Sequence, residues 1–197
     1  GNVRLLLIGD VIGKPGRQAV EALLPQLRDE RRIDLVIANG ENLAGGMGLT
    51  ISTAASLFSA GVDVITSGNH IWDKKEIYPE LDRDERILRP LNYGENGVPG
   101  RGWGIFHAAD GSEVAVINAQ GRTFMQPIEN PFTTLDALLD LLLVQELAAG
   151  KAIDLSPQFG DAVFIGDIVI GQLDIQTFDL IGRVLNTHAP VGGGLGS

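Results

Sequence analysis

Cysteine is absent from all 197 residues, which excludes disulfides, thiolate zinc sites and a cysteine nucleophile. Any metal must then be held by oxygen and imidazole, a donor set suited to Mn, Fe, Mg or Zn rather than to soft ions. Basic residues are short as well: 15 Lys and Arg face 25 Asp and Glu, a formal charge of −10. Such a chain lacks the basic face that general nucleic-acid binding needs. An anionic substrate would need local cations or metal ions to offset that field. No apolar run is long enough to span a bilayer, and the first residues lack a basic segment followed by a signal-like core. The expectation is a soluble, cytoplasmic protein with no membrane attachment. What remains is globular in composition, 44% hydrophobic and 20% charged, and long enough to bury the core of one α/β domain.

The apolar run Val3-Arg4-Leu5-Leu6-Leu7-Ile8 predicts a strand buried on both faces. It passes into Gly9-Asp10-Val11-Ile12-Gly13-Lys14-Pro15-Gly16-Arg17, so Asp10 falls at the carboxyl edge, where open α/β sheets bind ligands. Two phosphate loops are excluded here. A Walker loop needs four residues between its glycines and then Lys-Ser/Thr, but Gly9 and Gly13 enclose three and Pro15 follows Lys14. The Gly-x-Gly-x-x-Gly of a dinucleotide site is also missing. The plain alternative for Asp10 is the N-cap of a helix starting near Pro15. That helix is expected to reach Arg31, with Ala19, Val20, Leu23, Leu24 and Leu27 on one face and a kink or early end at Pro25.

A second strand, Leu35-Val36-Ile37-Ala38, runs into Asn39-Gly40-Glu41-Asn42. The loop Ala44-Gly45-Gly46-Met47-Gly48 follows, then a helix capped by Thr50 or Ser52 and ended by Gly61. A third strand, Val62-Asp63-Val64-Ile65-Thr66, delivers Ser67-Gly68-Asn69-His70-Ile71-Trp72-Asp73. Gly68 is expected to supply backbone angles closed to other residues. Asn69 offers a neutral oxygen, and His70 can bind a metal or carry a proton near neutral pH. Taken singly, Gly-Asn-His reads as well as a strand-to-helix turn. Strands separated by helices imply a parallel sheet with right-handed crossovers, so Asp10, Glu41, Asn42, Asn69 and His70 would meet on one edge. Two acids with amides and no basic partner are costly together unless cations neutralise them.

Further along, Lys74 to Leu81 is expected to be a short helix, and the glycine-rich stretch to Gly104 a loop. Arg89, Arg101 and Arg122 are candidates to meet a phosphate with forked donors, against the alternative of solvated surface arginines. Tyr93 and Trp103 could stack on a base or anchor loops. Asp110-Gly111 between Gly104–Ala108 and Glu113–Asn118 predicts a hairpin, with His107 in a structural role. Pro131 to Ala149 is expected to be helical with Leu135, Leu138, Leu139, Leu142 and Leu143 inward, and residues 161–170 to form a strand.

These motifs in this order, extended by Leu88-Arg89-Pro90-Leu91-Asn92-Tyr93, Pro99-Gly100-Arg101-Gly102, Asn118-Ala119-Gln120-Gly121-Arg122-Thr123-Phe124-Met125 and Asn130-Pro131-Phe132, resemble the YmdB-like bacterial branch of the calcineurin-type metallophosphoesterases. The resemblance covers roughly residues 3–143. It implies an α/β fold in the form of a four-layer α/β/β/α sandwich, two divalent metal ions (Fe or Mn first, Mg or Zn next) and hydrolysis of a phosphodiester. A cyclic nucleotide, the 2′,3′ kind first, is the implied substrate. Position by position it implies Asp10 on one metal, Glu41 between both, Asn69 on the second and Asn42 in or beside the shell. His70 takes the place of the proton donor to the leaving oxygen.

The likeness thins after Gly150. An expected Asp-Phe-His-Ala-Glu aligns with Asp167-Ile168-Val169, putting Val169 at a histidine position. An expected Gly-Thr-His-Thr-His meets Asn186-Thr187-His188-Ala189-Pro190, which keeps His188 as a ligand and puts Pro190 in place of the second histidine. A single domain over residues 1–191 and a flexible glycine-rich tail over 192–197 are expected, and homo-oligomerisation is left open. A metal-dependent phosphodiesterase is the leading reading. A catalytically impaired nucleotide- or metal-binding domain of the same fold stands second, and a scaffold with no site third.

Overall fold

A computed structural model describes residues 3–94, 96–122, 127–148, 164–165 and 168–171. One sheet holds four parallel strands in the order β1 (Leu5–Ile8), β2 (Leu35–Asn39), β3 (Val64–Thr66) and β4 (Ile87–Leu88). The other holds β5 (Trp103–His107), β6 (Glu113–Asn118), β7 (Phe164–Ile165) and β8 (Ile168–Gly171), in the spatial order β5-β6-β8-β7. There β6 and β8 are parallel and the two outer pairs antiparallel.

The period-two alternation of the strands decides the layering. On β2, Val36 and Ala38 pack with Val20 and Leu24 of α1 (Gly13–Arg31) and with Ala54 and Leu57 of α2 (Ile51–Ala60). Leu35 and Ile37 turn the other way, joining Val64 and Leu88 against Val114 and Val116 of β6. The opposite face of β6, Ala115 and Ile117, meets Leu135, Leu138, Leu139 and Leu142 of α4 (Pro131–Ala148). The layers therefore run helix, sheet, sheet, helix. Each buried Leu, Ile or Val contributes about 1.5–3 kcal/mol, and both inner strands serve two cores at once.

Several expectations hold in detail. Thr50 caps α2 in a reciprocal box with Thr53, and Gly61 ends it in the left-handed region at φ 107°. Asp110-Gly111 turns the β5–β6 hairpin, with Gly111 at φ 88°. His107 stands exposed on β5, 3.8 Å from its cross-strand partner Glu113.

Others are corrected. Pro25 neither kinks nor ends α1, which continues to Arg31. Proline inside a helix costs about 3 kcal/mol or more, and here tertiary contacts on both sides offset it. Leu24 is buried, and Arg28 donates to the Gly61 carbonyl at 2.6 Å and pairs with Asp63 at 3.0 Å. The expected apolar face of α1 is only half right, because Leu23 is 57% exposed while Val20 and Leu24 are buried. The stretch after Lys74 is a 3₁₀ turn followed by α3 (Tyr78–Arg83). Ile87-Leu88, read as the start of a loop, pairs with β3 as a fourth parallel strand. The strand expected over 161–170 is two antiparallel strands, β7 and β8. The side chain of Leu143, the end of the single domain at 191 and the tail 192–197 lie outside the described residues. No helix among the described residues is long and apolar enough to cross a membrane.

One side chain fastens the two sheets at the edge where the parallel strands end. Asn118 closes β6, is 2% exposed, and donates through Nδ2 to the carbonyls of Ser67 at 2.6 Å and Leu88 at 3.0 Å. The Ser67 hydroxyl donates to the same Leu88 carbonyl at 2.8 Å. Asn118→Ala strips the buried Ser67 carbonyl of this donor, so a loss of about 1–3 kcal/mol is expected. A fall in the urea midpoint at unchanged slope measures it.

Candidate active site

The parallel ladder does not stop where the strands do. Val11 N–H donates to the Asn39 carbonyl at 3.1 Å, and Gly40 N–H to the Thr66 carbonyl at 2.8 Å. The loops leaving β1, β2 and β3 therefore start in register, bringing Asp10, Glu41 and Asn69 to one edge. Two more bonds fix the β2 loop: Gly13 N–H to the Asn42 carbonyl at 2.9 Å, and Gly48 N–H to the Glu41 carbonyl at 2.7 Å. Arg17 of α1 donates to the Leu43 carbonyl and holds the loop from the helix side.

Within this frame Asn42 places its amide nitrogen 3.0 and 2.9 Å from the two carboxylate oxygens of Asp10. Asp10 is thus no helix cap; the residue ahead of α1 is Ile12, and it makes no side-chain cap. Glu41 lies against Gly68. A β-carbon on Gly68 would sit 2.3 Å from Glu41 Oε2, so the glycine is required by space. The expected reason fails, since Gly68 has φ −130° and needs no left-handed backbone. His70 N–H, just beyond, points at Glu41 Oε2 from 3.4 Å.

The His70 turn interlocks with the Glu41 loop at a second glycine. A β-carbon on Gly48 would lie 2.7 Å from Lys74 Cγ, 3.3 Å from Asp73 Cβ and 3.4 Å from the His70 carbonyl oxygen. The turn itself is one short 3₁₀ helix, Asn69–Trp72. His70 Nδ1 meets Asp73 Oδ2 at 2.7 Å. Trp72 packs edge-on against Tyr78 and Tyr93, with ring centroids 5.7 and 5.3 Å away.

Burial is the main cause that pushes the Glu41 carboxyl above its usual range, and the nearby charges of Asp10 and Asp73 act the same way. The N–H of His70 works against them. A carboxylate kept from water beside other acids is the arrangement that a divalent cation relieves. The donor set fits such an ion: Asp10 and Glu41 supply carboxylates, while Asn42 and Asn69 supply amides whose oxygens are hard ligands. A half-turn of the Asn42 amide would present its oxygen instead of its nitrogen. Among the described residues no three His, Asp or Glu side chains gather as a metal-holding group, so the amides are needed.

The structure brings Asp10, Glu41, Asn42, Asn69 and His70 to one edge. It does not bring Arg89 there as a phosphate fork. Arg89 is 1% exposed and spends its donors on the carbonyls of Pro99, Pro90 and Leu91, which anchors the glycine-rich loop. Arg101 turns back to Glu85, 2.8 Å away, at the entry of β4 and so at the opposite end of the sheet. Arg122 is exposed, with Nη1 3.5 Å from the Ile128 carbonyl. Tyr93 and Trp103 serve as anchors: Tyr93 donates to Gln120 Oε1 at 3.3 Å, and Trp103 packs on the α4 core. Val169 sits within β8, paired with Val116. His188 and Pro190 lie outside the described residues. Sequence reasoning missed Asp73, for which the His-x-x-Asp spacing was the available signal. It also gave Asn118 no role, although a buried amide at a strand end was foreseeable.

A family model described as YmdB-like protein matches residues 6–156, well over half of the chain. The chain belongs to the YmdB-like family. It is 47% identical over 137 residues to a 2′,3′-cyclic-nucleotide 2′-phosphodiesterase of Bacillus subtilis (strain 168), covering 70% of this chain and 51% of that protein. The chain thus spans about half the length of that relative. Among solved structures it is similar to a hypothetical protein from Thermus thermophilus, with a TM-score of 0.66 and 33% identity over 95% of this chain and 86% of that one. It is also similar to a phosphatase from Mycoplasma pneumoniae, with a TM-score of 0.65 and 31% identity over 74% of this chain and 52% of that one. The YmdB-like family and the four-layer α/β/β/α sandwich implied by the sequence motifs both stand.

Because Glu41 holds its proton more tightly folded than unfolded, the folded state binds more protons above the ordinary carboxylate range. Its stabilising share is therefore present in acid and lost as pH rises through the raised value. In chelator, Glu41→Gln is expected to match the parent protein in acid and to melt about 2–4 °C higher at neutral pH. Thermal melts of both proteins across pH check this, and added divalent ion should favour the parent only.

Proposed function

We propose that this YmdB-like chain is a metal-dependent phosphodiesterase that opens a cyclic nucleotide, with the 2′,3′ ring as the favoured substrate. The observation that carries the reading is the seating of the Glu41 carboxylate against Gly68, beside Asp10 and under the His70 N–H. The Bacillus subtilis relative, named for action on 2′,3′-cyclic nucleotides, supports the substrate class.

Asp10, Glu41, Asn42 and Asn69 would hold two divalent ions, with Glu41 between them. Fe or Mn suits these donors first and Mg or Zn next. His188 is the remaining imidazole proposed for that set. Bound ions supply a Lewis acid for the phosphoryl oxygens and lower the pKa of a water that serves as nucleophile. The reaction forms one P–O bond from that water and breaks the bond from phosphorus to a ribose oxygen. His70 gives that oxygen its proton. Gly68 and Gly48 keep the Glu41 loop and the His70 turn in van der Waals contact, which fixes the acid relative to the ligand set. Of the three candidate arginines, Arg122 is the one left to meet the phosphate. We propose a cytoplasmic location, no membrane attachment and no general nucleic-acid binding, in keeping with the excess of acids.

A second reading has its own support. Among the described residues only Asp10 and Glu41 are charged ligands at this edge, and Val169 takes the place of an expected histidine inside β8. A domain that binds nucleotide and ion with little turnover would look the same.

Chelator-treated protein given Mn or Fe should hydrolyse a 2′,3′-cyclic nucleotide. Asp10→Ala and Glu41→Ala should each cut kcat at least about 100-fold, the scale of losing one preorganised electrostatic group. Calorimetric binding without metal-stimulated turnover would favour the second reading. Turnover untouched by either substitution would overturn the first.

A further inference from the structure

We infer that Asp73 is a positioning residue for His70, holding its Nδ1–H so that the proton available for transfer sits on Nε2. This rests on the phosphodiesterase reading for its chemical use, though not for its geometry.

The sequence sets the pair up locally. In a 3₁₀ helix, residues three apart lie above one another. His70 sits in the one-turn helix Asn69–Trp72 and Asp73 closes it, its N–H donating to the His70 carbonyl at 3.1 Å. The two side chains therefore leave the backbone on the same side, and Nδ1 meets Oδ2 at 2.7 Å. An ionised carboxylate can only accept, so the hydrogen must be on Nδ1. In the charged ring Nδ1–H is engaged and Nε2–H is the proton left to give. When it leaves, the Nε2–H bond breaks and an O–H bond forms on the departing ribose oxygen. That oxygen takes the electron pair of the broken P–O bond. The neutral ring remains as the Nδ1–H tautomer, which Asp73 already accommodates.

The pair is also clamped from outside. The backbone of Gly48 presses on Asp73 Cβ and on the His70 carbonyl. Tyr78 donates its hydroxyl to the Trp72 carbonyl at 2.8 Å and fixes the far end of the turn. A half-exposed ion pair adds little stability, about 0–1 kcal/mol, so its main consequence is orientation. Asp73 thus acts through His70 and needs no contact with substrate.

The test uses the full chain, with Asp73→Ala, Asp73→Asn and His70→Asn. Long-range ¹H–¹⁵N spectra at a pH where imidazoles are neutral report the tautomer, and the His70→Asn variant identifies the His70 signals among the three histidines. The parent should show the Nδ1–H form and Asp73→Ala a shift toward Nε2–H. Asp73→Asn, which keeps an acceptor oxygen, should restore part of the Nδ1–H population. In turnover, Asp73→Ala should lower kcat about 10- to 100-fold, less than the ~10²–10⁴ contributed by the acid itself, with KM within about twofold. A His70 tautomer unchanged by Asp73→Ala overturns the inference. So does a loss seen in KM alone. Absence of turnover in the parent would count against the phosphodiesterase reading, and the tautomer spectra would still decide the role of Asp73.

Discussion

The constraint on which this edge depends is the absence of one methyl group. Glu41 can lie against the chain after β3 because residue 68 has no β-carbon, and any side chain there would overlap the carboxylate. That contact fixes the separation of two loops that are 27 residues apart in sequence at their nearest site positions, Glu41 and Gly68. It also puts His70 N–H under the same carboxylate. The register of β2 against β3, with Asn39 opposite Thr66, makes the contact possible, and Gly40 N–H on the Thr66 carbonyl carries it past the strand ends. A parallel sheet delivers its loops to one edge as a matter of topology. Here backbone bonds continue the delivery to within one residue of the acids.

Electrostatics and packing pull against each other at this point. Packing holds Glu41 half-buried beside Asp10, while both acids would be better solvated apart. The structure tolerates the conflict because the neighbouring groups are donors: Asn42 toward Asp10 and the His70 backbone toward Glu41. Arginine, the usual neutraliser, is used elsewhere. Arg17 and Arg89 bind backbone carbonyls, and Arg28, Arg86 and Arg101 pair with Asp63, Asp84 and Glu85. With −10 overall and the cations committed to loops and rims, the edge is left acidic. That makes a divalent ion the natural counter-charge.

Much of this was legible in the chain. The strand ends bearing Asp10, Glu41 and Asn69 could be read because continuous apolar runs mark buried parallel strands and glycines mark where they stop. Thr50, Gly61 and Asp110-Gly111 could be read because capping and tight turns are local chemistry. The failures share a cause, which is that a distant contact decided the outcome. Pro25 stays in a helix because Leu24 and Arg28 are tied to other elements. Leu88 is a strand residue because β3 offers an open edge. Arg89 is buried because three carbonyls of the following loop converge on it. Gly68 was singled out correctly but for its torsions, whereas only the position of Glu41 reveals the steric reason.

Asp73 is the instructive middle case. Its spacing from His70 was in plain view, yet on an α-helix three residues is a loose neighbourhood and on a strand it is opposite faces. Only the 3₁₀ turn makes it a direct alignment. That turn exists because the chain leaving β3 must clear Glu41 at Gly68 and then pass Gly48, which leaves room for a tight helix and no wider one. The same two glycines that seat the carboxylate thus also set the helix type that pairs the histidine with its acid. Ligand cradle and proton donor are in this sense one packing solution, and a change at either glycine would disturb both together.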